Sequence, residues 1–151
     1  MARVPGSETP RNRSGLQPGD AVRCRRSKAC AAAGLADRRG LVIEVRLANA
    51  CVLFAQPAPQ QTAWLPDEQL LAAPDPGHDE LQLLARLMAA LHAVRLVLDE
   101  DELVVFSGEI PGTAFAEVAA LLGARLAGLR VEPEGVHEIA TRLRLEPPLF
   151  A

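Results

Sequence analysis

Aromatic side chains are scarce in this sequence of 151 residues. It contains four Phe, one Trp and no Tyr, so aromatics make up only 3% of the chain, while hydrophobic residues as a whole make up 49%. A packed core is therefore expected, and it must be built mainly from Leu, Val and Ala. Proteins that hold nucleic acid by base stacking normally use several aromatic platforms. Only Phe54 and Trp64 are available for this in the first 72 residues, so stacking is not expected to dominate binding.

Cysteine and histidine are also few, and they do not form a metal-binding pattern. Cys24, Cys30 and Cys51 include no Cys-x-x-Cys pair, and the three histidines all lie beyond residue 77. A tetrahedral zinc site usually shows paired short spacings, and an odd cysteine count without a secretory signal argues against a disulfide framework. We therefore expect no metal, no cofactor and no disulfide. Cys24 and Cys51 occupy strand positions typical of small core residues, whereas Cys30 falls in a loop and is the one thiol suspected of reactivity.

Long apolar segments and catalytic motifs are missing as well. No stretch reaches the roughly 18 uninterrupted apolar residues of a membrane helix, and no apolar region precedes Pro5 as a signal peptide would require. The serines lack a Gly-x-Ser-x-Gly context, and neither a P-loop nor Gly-x-Gly-x-x-Gly occurs. We therefore predict a soluble, cytoplasmic protein of bacterial type that has no membrane partner and is not an enzyme.

The chain does have a strong division of charge. Residues 1–60 carry ten Arg and Lys against four Asp and Glu, a net charge of +6, whereas residues 61–151 carry six against fifteen, a net charge of −9. The overall net charge of −3 conceals this division. Opposite charges in the two parts favour docking on charged partners, and they also permit head-to-tail self-association.

Short apolar segments alternate with Gly and Pro turns over residues 16–72. The polar, basic residues 1–15 before them are predicted to be a flexible tail. The segments are Pro18-Gly19-Asp20-Ala21-Val22, Gly40-Leu41-Val42, Val52-Leu53-Phe54 and Trp64-Leu65-Pro66 followed by Leu70. A long loop is expected over residues 26–39, and a short helical turn over residues 67–71. Strands of this length and spacing are typical of a closed or partly closed β-barrel.

The order Pro-Gly-Asp-x-Val, Gly-x-Val, Val-x-Phe and Trp-Leu-Pro resembles SH3-like small barrels of the KOW and Tudor kind. It is also similar to small-barrel accessory subunits of redox and metal enzymes, such as the variable chain of ferredoxin–thioredoxin reductase and the barrel at the end of the nitrile hydratase β chain. The similarity covers about a third of the chain and rests on turn and core positions. It implies a barrel that serves for binding, a use that many unrelated proteins make of this fold.

A proline linker at residues 73–77 separates the predicted barrel from a second part. Residues 78–146 predict the order α-β-β-α-β-β, in which His78 or Asp79 caps the first helix and Thr113 the second. The second hairpin is expected to begin its last strand at Val136, with His137 on that strand, and residues 147–151 form a tail. The predicted fold thus has two small parts, of the β and α/β classes: an SH3-like barrel, then an α+β domain with helices on one face of an antiparallel sheet.

Six cations and one tryptophan make up the candidate binding site, and no catalytic residue is predicted. They are Arg23, Arg25, Arg26, Lys28, Arg38, Arg39 and Trp64. The six cations, called here the basic edge, could contact nucleic-acid phosphates in a salt-dependent way, dock on an acidic protein surface, or simply be solvated.

We interpret the chain as a non-catalytic accessory or adaptor subunit. It would dock on a larger protein assembly through the basic edge and the acidic α+β domain, so a protein partner is expected. The alternative is a nucleic-acid-binding regulator that uses the basic barrel. A weaker alternative is a peptide-binding module, which would add an extended segment to an exposed sheet edge.

Overall fold

An antiparallel β-sheet dominates the fold. The computed structural model describes residues 12–55, 61–99 and 101–150, and within these ranges it contains nine strands and three α-helices. The strands are β1 (Ala21–Cys24), β2 (Arg39–Val45), β3 (Asn49–Phe54), β4 (Gln61–Pro66), β5 (Leu70–Ala72), β6 (Ala93–Asp99), β7 (Glu102–Ser107), β8 (Leu126–Pro133) and β9 (Ile139–Leu145). The helices are α1 (Lys28–Ala32), α2 (Asp79–Ala90) and α3 (Ala114–Leu122). The strand order is β4-β3-β2-β6-β7-β9-β8, and β1 pairs with both β2 and β5.

The first five strands follow the alternation of the sequence. In β1 the side chains of Val22 and Cys24 are buried, and Arg23 between them is partly exposed. A 3-10 turn at Asp67–Gln69 ends β4, after which β5 returns to pair with β1. The side chains on one face of these strands form a core together with their neighbours, and its larger members are Leu16, Val22, Leu35, Val42, Val52, Phe54, Leu65 and Leu70.

Close approach of β2 and β3 requires glycine at position 40. A Cβ atom on Gly40 would lie 2.6 Å from Val52 Cγ1 and 2.7 Å from the carbonyl oxygen of Leu53. Both neighbours belong to the paired strand and cannot move aside without breaking the pairing. The glycine that marks the start of the second strand in the sequence is therefore a packing requirement.

The remaining strands form the order β6-β7-β9-β8, and α2 and α3 pack on the face to which Leu143 and Leu145 point. The leucine stripe of α2 is buried as its spacing predicts. His78 caps this helix, because its Nδ1 accepts a hydrogen bond of 3.1 Å from the backbone N–H of Glu80. Thr113 stands at the start of α3, but its side chain makes no capping hydrogen bond.

The two parts of the chain share both sheet and core. One edge of β2 pairs with β1 near its start and with β6 further along, where Glu44 is opposite Arg95. Leu41 and Leu53 of the first part belong to the same core cluster as Leu84 of α2. The predicted linker at residues 73–77 lies between β5 and α2, and the sheet continues across it.

Several predicted local features are wrong in detail. The loop over residues 26–39 contains the helix α1, capped by the Ser27 hydroxyl, and α1 buries Cys30 completely. The helical turn over residues 67–71 stops at Gln69, and the next three residues form β5. The last strand begins at Ile139, so His137 lies in the exposed turn before it. In each case the element that forms depends on burial or on strand pairing, and neither can be predicted from the local sequence pattern.

Both termini of the described chain contact the fold. Residues 1–11 of the predicted basic tail lie outside the described residues, whereas Asn12 is buried. At the other end, the backbone N–H of Phe150 donates to Glu80 Oε2 at 2.9 Å. Arg125 binds both oxygens of the same carboxylate, at 2.6 and 2.8 Å. These contacts hold residues 147–150, predicted as a tail, against the beginning of α2.

Candidate functional site

The basic edge assembles where β1, α1 and the start of β2 meet. Arg23 is opposite Arg39 in the register of β1 and β2. Arg23 and Arg26 both bind the carboxylate of Asp37, at 2.8 and 2.5 Å. Asp37 adopts a positive φ of 64°, a conformation that Asp tolerates better than most residues. The tight turn thus places one acceptor between two arginines.

The other cations of the basic edge point to different neighbours. Arg25 Nε donates to the backbone carbonyl of Glu68 at 2.8 Å, and Arg39 binds Asp75 at 3.0 Å. Lys28 begins α1 and is exposed, while Arg38 is half-buried. Three of the cations, Arg23, Arg26 and Arg39, form exposed ion pairs with Asp37 and Asp75. Exposed pairs of this kind contribute about 0–1 kcal/mol each, so an anionic partner could displace them at little cost.

Trp64 lies apart from the basic edge. It is on β4, opposite Cys51 of β3, and Cys51 is in turn opposite Glu44 of β2. Arg39 is five residues from Glu44 along β2, which corresponds to about 16 Å at the rise of a β-strand. Arg39 and Trp64 therefore lie far apart, and Trp64 has neighbours of its own.

Trp64 is joined by two residues that the sequence did not single out. The guanidinium of Arg46 lies 4.4 Å from the centre of the Trp64 ring, and the neighbouring Leu47 has 76% of its surface exposed. Trp64 itself is 42% exposed. We call Arg46, Leu47 and Trp64 the Trp64 patch. Trp and Arg are the residue types that contribute most to protein–protein interfaces, and a stacked guanidinium fixes the orientation of the ring.

The turn between β2 and β3, which carries Arg46 and Leu47 of the Trp64 patch, is fixed by hydrogen bonds from two other segments. The backbone N–H of Arg13 donates to the carbonyl of Leu47 at 2.9 Å, and the N–H of Asp67 donates to the carbonyl of Ala48 at 2.9 Å. The side chain of Asp67 accepts from the Ser14 hydroxyl at 2.8 Å and from Arg13 Nε at 3.2 Å. Two segments distant in sequence therefore fix one exposed turn.

Asp67 is 1% exposed and charged. Desolvation raises its pKa, but hydrogen bonds from Arg13 and Ser14 outweigh this and hold the pKa below its ordinary value. No local pattern marks this residue, because its partners lie more than fifty positions earlier. The buried carboxylate serves to anchor the segment that supports the Trp64 patch.

A cleft that borders the basic edge lies between β2 and the start of α2. Its volume is about 490 Å³, and it is lined by Arg38, Arg39, Ala55, Pro76, Gly77, His78 and Leu81. His78 Nδ1 is already used as a hydrogen-bond acceptor for α2. The lining contains no carboxylate, hydroxyl or thiol beside the cations, so its described walls hold no acid, base and nucleophile together.

The cysteines are buried. Desolvation, with a contribution from nearby Cys30, raises the pKa of Cys24 to about 12, and desolvation raises that of Cys51 to about 11. Cys30, the thiol suspected of reactivity, is 0% exposed and packs in the core of the first five strands. A thiol without solvent access cannot be reached by a reagent or substrate, so the suspicion about Cys30 came from the wrong expectation that residues 26–39 form a loop.

Comparison with known proteins adds no assignment. No protein-family model, no curated protein and no solved structure matches this chain. In the part of the chain that the structure describes, no group of three or more His, Cys, Asp or Glu residues could hold a metal ion. The described helices include none with the length and apolar character needed to cross a membrane.

Proposed function

We propose that this chain is a non-catalytic adaptor subunit that docks on a larger protein assembly through the Trp64 patch. The observation that carries the proposal is an exposed Trp on β4, stacked by Arg46, beside a turn that exposes Leu47 and is held by hydrogen bonds from Arg13 and Asp67. A pre-ordered surface loses little conformational entropy on binding, and this favours docking on a protein. The strand order β4-β3-β2-β1-β5, with a 3-10 turn before β5, supports an SH3-like barrel as the docking module.

The basic edge supplies a second, electrostatic contribution. Its six cations are exposed or half-exposed. An acidic partner would be attracted from a distance by this surface and then anchored by the Trp64 patch. Substitution in the basic edge should therefore slow association and weaken its salt dependence, whereas substitution in the Trp64 patch should accelerate dissociation.

The test is recovery of a stoichiometric partner from the native host by the tagged full chain. Trp64→Ala should reduce affinity for that partner roughly 30-fold or more, as expected for an interface tryptophan. Val97→Ala is a matched control, because Val97 is 39% exposed on the distant β6. Equal recovery by the two variants, with far-UV circular dichroism spectra unchanged, would show that the Trp64 patch is not the docking site.

A nucleic-acid-binding regulator is the second candidate, and the excess of cations on the basic edge favours it. If phosphates are the ligand, affinity for a labelled duplex or single strand should fall by about 10³-fold or more between 50 and 200 mM salt. Arg25→Glu with Arg26→Glu should abolish it, while Trp64→Ala should change it little. Binding that is absent, or insensitive to salt, would eliminate this candidate.

A peptide-binding module rests on the position of β4. This strand is one end of the described sheet and carries Trp64. An extended segment of a partner could pair with β4 and place a side chain against the tryptophan. This mode is a special case of docking through the Trp64 patch, and backbone amide shifts confined to β4 on partner binding would identify it.

A further inference from the structure

The other end of the sheet is an eight-residue strand. β8 pairs with β9 along one edge and is the last strand in the sheet order. From Leu129 to Val131 three consecutive residues are exposed, so no described segment covers this part of the strand. An open edge of this length presents unpaired N–H and C=O groups that another strand can bind.

The turn between β8 and β9 determines which backbone groups of β8 point to the open edge. Glu134 N–H donates to the carbonyl of Glu138 at 2.8 Å, which makes these two a hydrogen-bonded pair. In an antiparallel ladder such pairs alternate with non-bonded ones. The register is regular from Gly128 to Pro133, so Leu129, Val131 and Pro133 direct their backbone groups to the open edge.

The two faces of β8 differ in character. Leu129 and Val131 are opposite the core residues Leu143 and Thr141 of β9, yet they are 37% and 44% exposed. The opposite face carries Arg130, which forms ion pairs with Glu102 at 2.9 Å and with Glu132 at 3.3 Å, while Glu132 also pairs with Arg142 at 3.2 Å. The edge thus has apolar side chains on one face and one charge of each sign on the other.

We propose that a second copy of this chain pairs with β8 antiparallel, centred on Val131. In that register Val131 of each copy donates to and accepts from Val131 of the other, and Leu129 donates to the carbonyl of Pro133 across the interface. Arg130 then lies directly opposite Glu132 of the second copy. The register centred on Val131 places unlike charges opposite each other on both sides of the two-fold axis, whereas a register centred on Arg130 would place two arginines face to face. Opposite charges at directly facing positions stabilise a pair of strands.

The same strand limits the pairing to a dimer. A register irregularity between Leu126 and Gly128 interrupts one end, and Pro133, which has no N–H, ends the other. Pairing of β8 with β8 also closes on itself, whereas pairing of β8 with β4 would continue as a filament. This proposal is independent of the Trp64 patch, which lies at the opposite end of the sheet.

Symmetry provides a register-specific test by cross-linking of the full chain. Residue 131 faces its own copy at a Cα separation of about 5.5 Å, within the roughly 4.4–6.8 Å that a disulfide spans. Residue 129 faces residue 133 of the second copy, so the two copies of residue 129 are four positions apart along the strands and their Cα atoms are separated by about 14 Å. Under mild oxidation Val131→Cys should therefore become a covalent dimer, and Leu129→Cys, of similar exposure, should not. The native cysteines are at most 6% exposed and should not interfere.

Charge exchange tests the same register without a covalent bond. The unmodified chain should show a mass approaching twice 16.1 kDa in light scattering as its concentration rises. Arg130→Glu alone and Glu132→Arg alone should each remain at the mass of one chain, and an equimolar mixture of the two should recover the dimer.

Three results would overturn the proposal. They are equal cross-linking of the two cysteine variants, a mass of 16.1 kDa for the unmodified chain up to millimolar concentration, or a mixture that stays monomeric although both variants retain the native circular dichroism spectrum. Retention of partner binding by the charge variants would show that the docking function is separate, so failure of one proposal leaves the other standing.

Discussion

The shared core predicts that both parts of the chain unfold together, and Leu84→Ala tests this. Leu84 is 0% exposed in α2 and packs in the same cluster as Leu41 and Leu53 of β2 and β3. Truncation of a fully buried leucine to alanine costs about 3–5 kcal/mol, from lost transfer free energy and the cavity that remains. For a chain of this size the expected decrease in Tm is roughly 6–20 °C.

Two spectroscopic probes report on the two parts separately. The single tryptophan, Trp64, is in β4, whereas the two longer helices, α2 and α3, both follow residue 78. Urea unfolding should give coincident transitions by tryptophan fluorescence and far-UV circular dichroism, and Leu84→Ala should move both to lower urea by the same amount. Gln82→Ala, an exposed position in the same helix, should shift neither by more than about 0.5 kcal/mol.

A fluorescence transition that stays in place while the circular dichroism transition moves would refute this reasoning. It would mean that the first five strands are stable without α2, as the predicted division into two domains implies. Coincident shifts would instead assign the pairing of β2 with β6 and the common core to one cooperative unit.

Three further outcomes follow from individual contacts. Gly40→Ala should cost at least as much as a typical core substitution, about 1–3 kcal/mol, because its Cβ would overlap Val52 and a backbone carbonyl; calorimetry measures the change in Tm, and an unchanged Tm would contradict it. Hydrogen bonds from Arg125 hold the pKa of Glu80 in the folded protein below its ordinary 4.5. The ionised carboxylate therefore stabilises the fold above pH 4.5, and this stabilisation is lost as the pH falls through the pKa that Glu80 has in the folded protein. Glu80→Gln should therefore reduce the free energy of unfolding by about 1–2 kcal/mol at pH 7, and the difference from the unmodified chain should become smaller in acid. A difference that does not change with pH would contradict this role of the Glu80 carboxylate. Cys24, Cys30 and Cys51 are all buried, and burial raises the pKa of Cys24 to about 12. A thiol reagent at pH 8 should therefore modify no cysteine until denaturant is added, and rapid native labelling would disprove the burial.

The two proposed surfaces occupy opposite ends of one sheet. The Trp64 patch lies at the β4 end and the dimer edge at the β8 end. A dimer through β8 would therefore place one Trp64 patch at each end of the joined sheets. Two linked docking sites can raise the effective affinity for a partner that displays repeated copies of its own binding site.

The sequence alone determined the elements whose cause is local. Residues only two to four positions apart produce the leucine spacing of α2, the alternation of β1 and the turns at Gly and Pro. Such local patterns can be recognised directly in the sequence. The order α-β-β-α-β-β after residue 77 and the division of charge were accessible for the same reason.

Only the tertiary structure decided which of these elements meet. The burial of Cys30, the stacking of Arg46 on Trp64 and the anchoring of Asp67 by Arg13 join positions separated by long stretches of chain. The separation of Trp64 from the basic edge and the open edge of β8 depend on strand order and register. Strand pairing joins residues that are far apart in sequence, and the local sequence of a strand does not show whether the strand lies in the centre of a sheet or at its edge. The surfaces on which both proposals rest could therefore be located only once the sheet was known.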